Sequence, residues 1–87
     1  MYKLTYSKQA KKDYEYLKAA RLQRKVDEIL ELLKKDPLRQ DISFKALIGE
    51  YTGLYSRRIN IKHRIVYEFL PDDNEVYILR MWTHYDL

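Results

Sequence analysis

Cysteine is absent from the 87 residues. That excludes a disulfide framework, a thiolate nucleophile and a cysteine-held zinc, and leaves packing to hold the fold. Histidine is scarce as well. Only His63 and His84 offer an imidazole, and no second metal-type spacing accompanies them, so neither a metal nor another cofactor is expected. Long apolar runs are missing too. The opening Met1-Tyr2-Lys3-Leu4-Thr5-Tyr6 lacks the apolar core of a signal peptide, and no stretch could span a membrane, which makes the cytoplasm the expected compartment. Length sets a last bound: the chain has room for one domain over residues 1–87 with a modest core, and none for a separate cofactor-binding module. Any active site must be shallow and built on that domain.

What is present is basic charge and tyrosine. Seventeen Lys and Arg against thirteen Asp and Glu give a net charge of +4 and a pI near 9.3, which points to an anionic partner. Nine tyrosines, two phenylalanines and one tryptophan lie among these cations, a combination suited to stacking on bases beside charges that hold phosphates. Most of the tyrosines are nevertheless expected at the edges of the core.

Tyr2, Leu4 and Tyr6 alternate with Lys3 and Thr5, the period of a half-buried strand. Ser7 stands where a helix N-cap belongs, and Ala10, Tyr14 and Leu17 recur behind it at helical spacing. Leu22, Val26, Ile29, Leu30 and Leu33 form the apolar stripe of a second helix. Asp36-Pro37 should end it by Lys35 or Asp36. From about Ser43 the composition changes to short runs rich in Ile, Val, Tyr and Phe, broken by Gly49, Gly53, Asn60 and Pro71 to Asn74. These runs read as four strands, with Leu54 to Ile59 and His63 to Phe69 forming a hairpin and Glu75 to Trp82 folding back after the Pro71 turn. The expected fold is α+β: an N-terminal strand, two helices, then a four-strand antiparallel meander with the helices on one face of the sheet.

Three places carry candidate chemistry. Ile78 to Tyr85 is an apolar strand-like run that ends on His84-Tyr85. An imidazole with an ordinary pKa near 6.5 exchanges protons at cellular pH, so His84 is the best general acid or base in the chain. His63 is in phase with apolar residues beside a tight turn and reads as structural. Tyr55-Ser56-Arg57-Arg58 and Arg64 form the densest cationic cluster. Alternation puts Arg58 with Leu54 and Ser56, and Arg57 with Tyr55 and Ile59, so the two adjacent arginines serve different faces. If the hairpin brings Arg58 and Arg64 onto one face, they make a fixed cationic surface for a phosphate. Spacing alone is equally compatible with a solvated outer face, and Arg57 is assigned to that solvated class.

Taken together, Leu54-Tyr55-Ser56-Arg57-Arg58-Ile59, His63-Arg64-Ile65-Val66-Tyr67 and the terminal His84-Tyr85 resemble the YoeB/Txe toxins of the RelE superfamily, in order and over nearly the whole chain. The resemblance implies a type II toxin that enters the 30S ribosomal A site and cuts mRNA there by metal-independent attack of a 2′-OH on the adjacent phosphate. A cognate antitoxin of the YefM/Axe type would inhibit it, and a homodimer is a further expected assembly. By residue match His84 is the general acid, Arg64 stabilises the phosphorane-like transition state, Tyr85 positions RNA or stacks on a base, and Arg58 holds the phosphate backbone. One position departs from the family. Its glutamate, proposed as general base, is replaced by Lys45 in Ser43-Phe44-Lys45-Ala46-Leu47. Lys45 would serve as a base only if its pKa fell by several units, and otherwise adds a cation for the phosphate. Glu50 is the nearest alternative carboxylate. Two further readings follow: a catalytically weak or inactive module acting through antitoxin binding and operon autoregulation, and a general nucleic-acid binder. A basic face of Lys8, Lys11, Lys12 and Arg58 would receive an acidic antitoxin segment.

Overall fold

Lys3–Tyr6 forms the first strand, β1, and Ser7 ends it by capping the first helix, α1 (Lys8–Ala19). The Ser7 hydroxyl accepts the Ala10 N–H at 2.9 Å and donates to the Leu79 carbonyl at 2.7 Å. One side chain therefore starts the helix and ties it to the far end of the chain, a contact of about 1 kcal/mol for the cap alone. The second helix, α2 (Gln23–Lys35), stops with Asp36 as its C-cap, in front of Pro37 as the sequence requires. The strands that follow are β2 (Lys45–Ala46), β3 (Leu54–Arg58), β4 (Arg64–Leu70) and β5 (Glu75–Arg80). The computed structural model describes residues 1–41 and 43–81.

The fold is α+β, with a five-stranded mixed sheet in the order β1-β5-β4-β3-β2. From β2 to β5 the pairing is antiparallel, as the turn signals predict. At the Pro71–Asp73 turn, Asn74 takes the left-handed conformation that its short side chain tolerates, with φ 54°. At the β3–β4 turn the Asn60 side-chain oxygen accepts the N–H groups of Lys62 at 2.9 Å and His63 at 2.8 Å. The first strand was not placed by any local signal: it lies parallel to β5, Lys3 against Glu75 through Tyr6 against Ile78.

Both helices pack on one face of this sheet. Ala10 and Leu17 of α1 and Val26, Leu30 and Leu33 of α2 meet Ile65 and Tyr67 of β4 and Val76 and Ile78 of β5. Each fully buried Leu, Ile or Val contributes roughly 1.5–3 kcal/mol to folding. The ladder between β4 and β5 contains one irregularity. Tyr67 faces Ile78 and Val66 faces Arg80, so Leu79 is an extra residue on β5 and forms a bulge. The bulge advances the alternation by one, and Met81 joins Ile78 in the core at 1% exposure.

Candidate functional site

The face of the sheet turned away from the helices carries the candidate cations. In the β3–β4 ladder Arg58 is the direct partner of Arg64, which places both on one face. Lys45 of β2 is the partner of Ser56, and Ser56 of Val66. Ser56 and Arg58 are two residues apart on the same strand, so the Lys45 rank lies about 7 Å from the arginine rank. Lys45 and Arg58 are exposed and Arg64 is half-buried. Like charges directly opposite on a ladder disfavour folding by a few tenths of a kcal/mol to about 1 kcal/mol. Among the described residues neither Arg58 nor Arg64 has a carboxylate in ion-pair range. The ladder thus sets two arginines opposite each other with no carboxylate partner among the described residues, an arrangement suited to an incoming phosphodiester.

Glu28 and Asp41 border the same cavity as Arg58, whereas the carboxylates of the turn before β3 and of β4 stand apart from the arginine pair. Glu50 lies exposed in the Gly49–Tyr51 turn. Glu68 shares the face of Arg64 and Val66 by alternation but stands four residues along β4, about 13 Å by strand rise and too far to share one phosphate group. Lys45, in the position of the expected base, is exposed. Ser56 is fully buried, and its hydroxyl has no hydrogen-bond partner among the described residues. His84 and Tyr85 lie outside the described residues.

Arg57 corrects the sequence reading. It is 1% exposed, not solvated. Alternation places it with Tyr55 and Ile59 on the helix side, and the segment between α2 and β2 closes over it. Its Nη1 donates to Asp41 Oδ1 at 2.6 Å, its Nη2 to the carbonyls of Arg39 at 2.6 Å and Pro37 at 3.5 Å, and its Nε to Tyr67 Oη at 3.3 Å. The guanidinium carbon also lies 4.8 Å from the centre of the Phe44 ring, within cation–π range. Burial pushes the Tyr67 phenol above its ordinary value, while the Arg57 charge pulls it the other way. The basic face expected from Lys8, Lys11, Lys12 and Arg58 is likewise not continuous. Helix α1 packs over β1 and β5, whereas Arg58 ends β3, two strands from β5.

A further pair was missed by sequence reasoning. Asp13 of α1 is fully buried and accepts Arg80 Nε at 2.9 Å. The signal was available, because Asp13 falls between Ala10 and Leu17 on the buried stripe of its helix.

The family model for the YoeB-like toxin of bacterial type II toxin–antitoxin systems matches residues 6–85. The chain belongs to this toxin family. Among curated proteins, the toxin YoeB of Mycobacterium bovis is 34% identical over 62 residues, 71% of either chain. A YoeB/ParE toxin structure from Agrobacterium tumefaciens superposes with a TM-score of 0.86 at 27% identity, covering 95% of this chain and 99% of that one. The YoeB–YefM complex from Staphylococcus aureus gives a TM-score of 0.79 at 34% identity, covering 98% and 99%. For a YoeB-like toxin, then, this chain is conventional in its fold. Among the described residues no helix is long and apolar enough to cross a membrane.

Proposed function

We propose that this YoeB-like toxin is a ribosome-dependent endoribonuclease that cuts mRNA in the A site and acts in the cytoplasm. The observation that carries the reading is the Arg58–Arg64 pair, two arginines opposite each other in the β3–β4 ladder with no ion-pair partner among the described residues. In the reaction the 2′-OH attacks the adjacent phosphorus, the new 2′-O–P bond forms as the 5′-O–P bond breaks, and a cyclic phosphate and a 5′-OH result. Arg64 offsets the charge that builds on the phosphoryl oxygens, and Arg58 holds the neighbouring backbone phosphate. His84 donates the proton to the departing 5′ oxygen, and Tyr85 stacks on or positions a base. Lys45 adds a third cation. The 2′-OH proton leaves to solvent.

An antitoxin partner follows from the family and from the Staphylococcus aureus relative, which is a complex with YefM. Toeprinting on a translated message tests the activity. Cleavage at the A-site codon is expected from the purified protein and is lost in Arg64→Ala and His84→Ala; cleavage that survives both substitutions removes this site. Lys45 supports a second reading, a weak nuclease that acts mainly through its antitoxin and its operon. Lys45→Glu separates the two, because a large gain in cleavage identifies a degenerate site and a loss identifies lysine as the working residue.

A further inference from the structure

Lys45, the third cation of the proposed reaction, stands on a strand of only two residues at the edge of the sheet. Its ladder is correspondingly short: Lys45 faces Ser56 and Ala46 faces Tyr55. So few contacts hold an edge backbone weakly. The residue in front of Lys45 is held by other means. Alternation puts Phe44 on the side of Ala46, Tyr55 and Arg57, opposite to Lys45. There its ring stacks on Tyr55, with centroids 5.7 Å apart and planes 23° apart, and the Arg57 guanidinium carbon lies 4.8 Å from its centre. Tyr55 in turn lies 5.8 Å from Tyr67, whose hydroxyl accepts Arg57 Nε at 3.3 Å. Four side chains thus close a ring of contacts, and Phe44 is the member that comes from outside the β3–β4 hairpin.

The backbone ahead of Phe44 is constrained as well. Ser43 takes φ 73°, in the left-handed region that residues with a Cβ rarely enter, and the Phe44 N–H donates to the Asp41 carbonyl at 3.2 Å. Strain of this kind persists where the surroundings over-determine it. Phe44 itself is half-buried and stands apart from the core cluster. What its contacts supply is placement: they set where the chain enters β2, and the next residue is Lys45.

We propose that Phe44 is a positioning residue for cleavage: held against Tyr55 and Arg57, it fixes the backbone from which Lys45 reaches the phosphate at the Arg58–Arg64 pair. This rests on the reading of Lys45 as a phosphate-binding cation. The Lys45 rank lies about 7 Å from the arginine rank, within reach of a lysine side chain. Misplacing a catalytic group by about 1 Å costs up to about 100-fold in rate, and a long side chain absorbs part of such a shift, which leaves an expected loss of about 10-fold.

The test is a cycle of Phe44→Leu, Lys45→Met and the double variant, with single-turnover cleavage on ribosomes translating a defined message followed against toxin concentration. Thermal melting and antitoxin binding confirm folding. Phe44→Leu removes the ring yet keeps an apolar side chain. Its maximal rate is expected to fall about 10-fold with the half-saturating concentration unchanged, and to fall no further in the Lys45→Met background. Phe44→Tyr keeps the ring and should cleave like wild type; a rate as low as that of Phe44→Leu refutes the role of the ring. Full cleavage by Phe44→Leu beside an impaired Lys45→Met overturns the inference alone. So does an equal loss in both backgrounds, or a loss confined to the half-saturating concentration. Cleavage unchanged or raised in Lys45→Met overturns the role of Lys45 and the inference with it, while leaving Arg58 and Arg64 in place. A wild-type protein that does not cleave overturns the proposed function and the inference together. Should Phe44→Leu not fold, Tyr55→Leu removes the other half of the stack: its loss must vanish in the Lys45→Met background, and an equal loss there refutes the coupling.

Discussion

Arg57 and Arg58 are neighbours on β3, carry the same charge, and meet opposite environments. Arg57 is enclosed at 1% exposure by Asp41, Tyr67, two carbonyls and the Phe44 ring. Arg58 stands exposed with Arg64 as its ladder partner and without a carboxylate among the described residues. The strand's two-residue period is enough to separate them. On the helix side every nitrogen of the guanidinium donates to a group of the protein, so the charge organises the protein. On the other side the donors are left for something outside it.

That contrast predicts a clean exchange of phenotypes. Arg57→Ala leaves the Tyr67 hydroxyl bonded to the Pro37 carbonyl but strips the Arg39 carbonyl and Asp41 of their donor and opens a cavity; it should lower unfolding free energy by about 3 kcal/mol in urea titration. If its stability stays within experimental error of wild type, the clamp is ornamental. Arg64→Ala should leave the urea midpoint nearly unchanged and reduce cleavage by about 10²–10³-fold, and an equally large drop in stability would erase the distinction between the two faces. Ser7→Ala probes the helix layer without touching either arginine. It is expected to cost about 1 kcal/mol in the same titration through the lost cap, with ribosome binding intact.

The smallest effect concerns alkaline pH. Burial raises the phenols of Tyr6, Tyr14 and Tyr67 above the ordinary value of 10.0. Above pH 10 the unfolded chain releases these protons before the folded one does, so the stabilisation is present below that pH and is lost as pH rises. Each group contributes a slope of at most about 1.4 kcal/mol per pH unit. Tyr67→Phe should flatten the fall of stability between pH 10 and 11, and an unchanged slope would show that Tyr67 does not titrate in this way.

Much of the architecture could be read before any coordinates. The Ser7 cap, the α2 stripe ending before Pro37 and the β3–β4 hairpin all depend on residues close in sequence, where spacing and turn chemistry carry the information. What escaped the reading depends on distant partners. The parallel pairing of β1 with β5 joins the two ends of the described chain, and no local pattern encodes it. Arg57 was assigned to solvent although its alternation with Tyr55 and Ile59 was visible, because the carbonyls that satisfy it come from residues 18 and 20 positions away. The bulge at Leu79 shows only in the register against β4. For the site, Arg58 and Arg64 were legible as a conditional pair that the hairpin register then joined, and Lys45 as a departure from the family. Asp13 was not singled out, although it falls on the buried stripe of α1 between Ala10 and Leu17.

The placement of β1 beside β5 has a consequence for synthesis. Among the described residues the only sheet partner of β1 is β5, which is translated well after it. Until β5 has been translated, β1 and the apolar stripes of both helices lack the surface that completes their burial, and such non-local pairing is slow to form. A nascent chain of this protein therefore cannot complete the described sheet before β5 has been made.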